Sequence, residues 1–138
     1  MPLTLTLTKG AIAEGTEGQA IKELTDAILK NHGLTGNTVM TPNVTAHYSV
    51  LDEGTTFSGG EPFIGVWIEV KIPSFGFSDR EVQKAFCDDA VEIIQRLSGG
   101  KQPKDNIYFN VTHTVNGTWA MNGIAMTDDE ILEEVSKG

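Results

Sequence analysis

The sequence predicts an α/β (α+β) protein: two tandem β-α-β units forming a four-stranded sheet with two helices on one face, then a short C-terminal hairpin and helix. Three observations carry this. Residues 2–8, PLTLTLT, alternate strictly after the proline, the period of a half-buried strand. Residues 63–72, FIGVWIEVKI, form a second strongly strand-favouring run. Two capping-box spacings, Thr16 with Gln19 and Ser78 with Glu81, open helix-patterned stretches after those runs.

In the first strand Leu3, Leu5 and Leu7 face one way, and Thr4, Thr6 and Thr8 the other. Proline has no backbone N–H for a ladder, so Pro2 suits a strand's first position, on the threonine side. Ile21, Leu24 and Ile28 then recur at helical spacing, with Gly33 as the stop. Residues 43–50, NVTAHYSV, read as the second strand. After the run at 63–72, Val82, Phe86, Ala90, Ile93 and Leu97 form an apolar stripe ending at Gly99-Gly100. Residues 106–113, NIYFNVTH, make the fourth strand. The pseudo-repeat therefore spans 2–50 and 63–113 of one domain, 1–138, with a tail at 114–138.

In that tail Asn116-Gly117 and Asn122-Gly123 flank a short segment and suit a hairpin. Thr127 and Glu130 form a third capping box, predicting a helix over 127–136 whose acidic run, DDEILEE, reads as solvated. Right-handed crossovers place both main helices on one sheet face. Val66, Ile68 and Val70 lie on one side of the third strand and Trp67 on the other. Apolar groups on both sides predict burial of both, with further copies of the chain supplying the second layer.

Composition narrows the partners. The 138 residues suit one domain, and 39% hydrophobic with 21% charged content argues against disorder. The net charge is −9 and the only arginines are Arg80 and Arg96. Without clustered cations, neither nucleic acid nor an anionic membrane is a predicted partner, whereas a small anionic substrate is compatible with the charge, since one local lysine or a few backbone N–H groups can outweigh the global field. A single cysteine, Cys87, allows no intrachain disulfide. No apolar run approaches the roughly 18 residues of a membrane span, and the N-terminus lacks a signal-peptide pattern, so a cytoplasmic location is the default expectation. His32, His47 and His113 have no HxH or HExxH spacing, so no metal or cofactor is expected.

Pro2 is the most informative position. Removal of the initiator methionine would leave its nitrogen a free secondary amine, a real base, unlike an amide nitrogen with a delocalised lone pair. Burial or aromatic neighbours such as Trp119 would disfavour its protonated form and bring it towards neutrality, where a general base works best. The alternative is that Pro2 is only a permissive strand start, and a retained Met1 would make its nitrogen an inert amide.

Pro2 opening a strand, two β-α-β units and the tail NIYFNVTHTVNGTWAMNG together resemble the tautomerase superfamily over most of the chain. The tail is similar to that of 4-oxalocrotonate tautomerase over residues 107–123. The stretch from Val44 through AHYSVLDEGTTFSGGEP resembles macrophage migration inhibitory factor-like proteins. This resemblance implies a homotrimer with pockets at subunit boundaries, and a Pro2 amine that shuttles a proton within an enol or α-keto acid. It implies further that Tyr108 and Asn110, two apart on the last long strand, hydrogen-bond the developing enolate or a carboxylate, with Trp119 as the aromatic of the C-terminal turn.

The sequence departs from the family pattern where cations are concerned. Ala11 follows Lys9-Gly10 where dicarboxylate-handling members place arginine, and IPSFGFSD lacks the arginine pair of the related cis-3-chloroacrylic acid dehalogenase. Leu34 lies near the lysine position of the macrophage migration inhibitory factor pattern. Lys71, at a strand end, is the candidate replacement cation, with the solvated strand end as its alternative. His32 sits one helical turn beyond Ile28, which occupies the dehalogenase's histidine position. Three functions stay open: a cofactor-independent tautomerase; a hydrolytic dehalogenase, hydratase or decarboxylase of a small unsaturated or β-keto acid; and a non-catalytic oligomeric binding protein.

Overall fold

The computed structural model describes residues 2–138. In chain order the elements are β1 (Pro2–Thr8), α1 (Glu17–Asn31), β2 (Thr45–Leu51), the two-residue strands β3 (Phe57–Ser58) and β4 (Glu61–Pro62), and β5 (Val66–Pro73). There follow α2 (Arg80–Leu97), β6 (Ile107–Thr114), the hairpin β7 (Trp119–Met121) and β8 (Ile124–Met126), and α3 (Asp128–Val135). The main sheet has the order β2-β1-β5-β6. β1 pairs parallel with β2, and β5 with β6, while β1 and β5 meet antiparallel at the centre. Two β-α-β units thus lie head to tail across one seam, with α1 and α2 packed on each other above it.

The core fills the space between those helices and the sheet. Leu3, Leu5 and Leu7 of β1 and Val66, Ile68 and Val70 of β5 are buried beneath Ala20, Leu24 and Ile28 of α1 and Phe86, Ala90 and Ile94 of α2. Burying such side chains stabilises the fold by about 1.5–3 kcal/mol each, which makes the alternating register hard to slip. Phe86 anchors an aromatic cluster, its ring 5.2 Å from Phe77 and 5.0 Å from Phe109.

The helix starts differ from the capping boxes read in the sequence. At α1 the Thr16 hydroxyl turns back to donate to the Ala13 carbonyl, and Gln19 donates to Glu23, so no box forms. At α2 the cap is Asp79, one residue later than Ser78; its carboxylate accepts the Glu81 N–H at 2.8 Å. A carboxylate there also complements the helix dipole. Only the third box forms, with Thr127 accepting from the Glu130 N–H and Glu130 accepting from the Thr127 N–H.

The reading of 127–136 as a solvated helix is corrected. Ile131 is 2% exposed and packs with Met121 and Met126, and the half-buried Trp119 and Val135 close the same cluster. Ile131 and Val135 stand four apart, one helical turn, so α3 has an apolar stripe beneath its acidic surface. The hairpin it rests on turns at Asn122-Gly123, both at positive φ (56° and 74°), the geometry that favours this dipeptide.

The helix-free face of the sheet is more polar than a doubly buried sheet requires. Its cross-strand rows read Thr45, Pro2, Lys71, Thr112; then His47, Thr4, Glu69, Asn110; then Ser49, Thr6, Trp67, Tyr108. Leu51, 38% exposed, stands at its β2 edge, and its aromatic groups gather at one corner. There Trp67 stacks on Tyr108 at 6.4 Å and 17°, with Phe63 edge-on to both. Trp67 belongs to that aromatic corner.

Candidate active site

Pro2 is the first residue of a central strand and half-buried. Its parallel neighbour is Thr45 on β2, and the antiparallel register Leu3↔Val70 sets Lys71 on its other side. Adjacent strands lie about 4.8 Å apart, so the Pro2 nitrogen and the base of the Lys71 side chain are close neighbours. Lys71 is exposed and, among the described residues, makes no ion pair. It is the only lysine or arginine in the three rows. Fold topology thus brings together two residues 69 positions apart in the chain.

Tyr108 and Asn110 share that face but not that corner. Asn110 pairs with Glu69, which pairs with Thr4, placing it two strands from β1 and one row along. That is about 10 Å sideways and about 7 Å along the strands. Tyr108 is a further row away, stacked on Trp67 and 41% exposed. Both lie on β6, an unpaired edge of the sheet. Within one chain neither reaches Pro2.

His32 lies just past α1 with both ring nitrogens engaged inside the chain. The Phe77 backbone N–H donates to Nε2 at 3.1 Å, which requires a lone pair there. Nδ1 therefore carries the hydrogen and donates to the Ile28 carbonyl at 2.8 Å. No ring nitrogen is left over for a ligand. The ring instead pins the 74–78 loop, where Phe77 is 2% exposed yet holds φ 54°, a conformation costly for a bulky residue. His113 pins the same loop by donating from Nε2 to the Gly76 carbonyl at 2.7 Å. His47 stands apart on the open face. Among the described residues no three His, Cys, Asp or Glu side chains are grouped to hold a metal.

Trp119 opens the C-terminal hairpin and is half-buried between the two apolar clusters. With Ile72, Pro73, Phe75, Leu34 and Leu132 it lines a cavity of about 260 Å³. This cavity starts one residue beyond Lys71, at the Pro2 end of the sheet. It escaped the sequence reading because its walls come from α1's end, the loop after β5, the hairpin and α3, segments far apart in sequence. The one local signal was the Ile131–Val135 spacing. A larger hollow, about 730 Å³, lies between α1 and α2, away from Pro2. Its carboxylates are paired: Glu23 and Glu92 with Arg96, Asp26 with Lys22, and Asp89 with Lys30. Each of these carboxylates has a cation partner, with Glu23 and Glu92 sharing Arg96.

No family model and no curated protein sequence matches the chain. Solved structures do match it, over nearly its whole length. The chain is similar to a fused 4-OT, wild type, solved as a symmetric trimer (TM-score 0.75, 12% identity, 95% of this chain and 98% of that one). It is similar to a member of the cis-3-chloroacrylic acid dehalogenase family (TM-score 0.72, 14% identity, 100% of both chains). It is also similar to macrophage migration inhibitory factor of Toxoplasma gondii (TM-score 0.66, 18% identity, 88% of this chain and 96% of that one). At these identities the likeness establishes the architecture.

Proposed function

Taking the tautomerase-superfamily fold as premise, we propose that this chain is a cofactor-independent tautomerase of small enol or α-keto acids, with the Pro2 amine as its general base once Met1 is removed. The observation that carries the reading is the register Leu3↔Val70, which sets Lys71, a lysine with no ion pair among the described residues, next to Pro2 at the end of the sheet. The ammonium of Lys71 does two things there. It attracts a substrate carboxylate, and as a like charge it disfavours protonation of the neighbouring amine, leaving the base free. The substrate's enol proton passes to the proline nitrogen and returns to the adjacent carbon, so the base is regenerated and no redox partner is consumed.

Stabilising the enolate needs hydrogen-bond donors, and Tyr108 and Asn110 can serve only from a neighbouring copy. Their position on a free sheet edge supports a homotrimer in which one chain's β6 borders another chain's Pro2. A single cation on this face fits one carboxylate. Dehalogenation by a cation pair has less support, because the only candidate cation is Lys71.

Pro2→Ala tests the proposal. In protein verified by intact mass to lack Met1, the substitution should lower kcat/KM for phenylpyruvate or 2-hydroxymuconate ketonisation by about 10²–10⁴-fold. Full activity in the variant, or complete retention of Met1 in natively produced protein, removes the proline mechanism.

A further inference from the structure

Residues 74–78, between β5 and α2, are held by side chains from α3, β6, α2 and the end of α1. Asp128 of α3 accepts from the Ser74 hydroxyl. His113 of β6 donates from Nε2 to the Gly76 carbonyl at 2.7 Å, and Gln83 of α2 donates to the Phe77 carbonyl at 2.7 Å. His32, at the end of α1, accepts from the Phe77 N–H through Nε2 at 3.1 Å. Only the last of these bonds requires an imidazole lone pair, because Nδ1 already donates its hydrogen to Ile28. We propose that His32 is a proton-operated latch: its neutral ring holds the loop closed, and its protonated ring releases Phe77 and loosens the Phe75–Gly76 wall of the cavity at the Pro2 end of the sheet. The latch stands without the proton-transfer reading; only its effect on turnover rests on that reading.

Protonation places a hydrogen on both ring nitrogens, so at Nε2 two N–H groups face each other across 3.1 Å. Turning the ring over changes nothing, since either nitrogen then presents a hydrogen. The Phe77 N–H is left without an acceptor, in a residue 2% exposed, which disfavours the closed loop. Phe77 also holds φ 54°, a left-handed backbone that a bulky residue leaves when nothing fixes it. His113 has the opposite sign. A nitrogen donating to a carbonyl keeps its hydrogen in either charge state, so acid leaves the Gly76 bond intact. The Gln83 amide does not titrate, and carboxylates as a class titrate below imidazoles. The Phe77 ring stays against Phe86 at 5.2 Å and Phe109 at 5.7 Å, so release is confined to the loop and the core remains packed.

No charged neighbour takes over from the lost lone pair. The cavity walls beside His32 hold no other titratable side chain. On the helices packed about the ring, Lys30 of α1 is paired with Asp89 of α2, Arg80 bonds Gln83, and Asp79 caps α2. In α3, Asp128 is bonded to Ser74, Glu130 to the Thr127 N–H and Glu134 to Lys137, while Asp129 and Glu133 are exposed. Lys71 of β5 stands on the other face of the sheet.

Amide hydrogen exchange of the full chain, read by NMR and corrected for the intrinsic pH dependence of exchange, tests the latch. Between about pH 7.5 and about pH 5.5 the protection of the Phe77 N–H should fall about tenfold or more, while that of Ile94 in α2 holds. His32→Gln offers an acceptor oxygen and a donor N–H in place of the two ring nitrogens and does not titrate, so its Phe77 protection should be the same at both pH values. Equal protection at both pH values in the wild-type protein, or an equal fall in folded His32→Gln, overturns the proposal. Should that variant not fold, the ring ¹⁵N shifts of the wild-type protein decide: loop signals are expected to move in step with the His32 ring, and movement in step with His113 or His47 overturns it. None of these readouts involves turnover, so a working latch in a protein that ketonises nothing would sink the tautomerase reading alone.

Discussion

At the scale of single residues, chemistry is decided by what each polar atom is already doing. His32 has the composition of a ligand-binding residue and the bonding of a structural one. Its Nδ1–H donates a hydrogen bond to the Ile28 carbonyl, its Nε2 accepts one from the Phe77 N–H, and the ring lies edge-on to the Phe77 ring at 4.6 Å. His32→Phe keeps an aromatic body but leaves the Phe77 N–H and Ile28 carbonyl without that partner. A loss of about 1–3 kcal/mol in urea-denaturation stability is expected, and an unchanged midpoint would contradict the pinning role. Lys71 is the converse case. Nothing in its neighbourhood distinguishes it in sequence from a solvated strand end, and only the register across β1 puts it beside Pro2.

At the scale of elements, the caps and the helix pair carry the testable energetics. Thr127→Ala removes the side-chain half of the one capping box that forms, at a cost of about 1 kcal/mol. Because α3 walls the cavity, faster hydrogen exchange at Ile131 to Val135 should accompany it. Unchanged exchange there would show that packing against Met121 and Met126 alone holds the helix. Between α1 and α2, Asp89 is bonded by Lys30 and Asn31 at 2.9 Å each. Burial pushes its carboxyl up, but those two donors outweigh burial and hold it below its ordinary value. A lowered carboxyl contributes stability above the ordinary carboxylate range and loses it as pH falls through that range towards the folded-state value. Asp89→Asn should therefore cost about 0.5–1 kcal/mol at neutral pH and nothing in strong acid. Equal costs at pH 7 and pH 3 would exclude an electrostatic origin.

At the scale of the whole molecule, the sheet has two free edges, β2 and β6, and a polar open face with one aromatic corner. Tyr48 and Val50 on β2 are 48% and 41% exposed, and a solitary chain would leave both them and the β6 ladder groups to water. Unpaired edges with exposed apolar side chains invite pairing. Sedimentation at micromolar concentration is expected to give three times the chain mass, and a monomer there would separate Tyr108 and Asn110 from Pro2 for good. Among the described residues no helix is long and apolar enough to cross a membrane.

Much of this architecture was legible in one dimension, because strand and helix periods are local. The leucine alternation of residues 2–8 specified β1 to the residue, and the stripe from Val82 to Leu97 specified α2. The Thr127 box and the Asn122-Gly123 turn were equally local, as was the placement of Pro2 at a strand start. Caps at Thr16 and Ser78 misled because a hydroxyl has several nearby backbone partners, and only the folded loop selects among them. What the tertiary structure alone decided is who stands across from whom: Lys71 beside Pro2, His32 bonded to Phe77, Tyr108 out of reach, and α3 over an apolar hollow. Periodicity says which side a residue faces, whereas its partners across a sheet or under a helix are set by long-range register, and no short window of sequence contains that information.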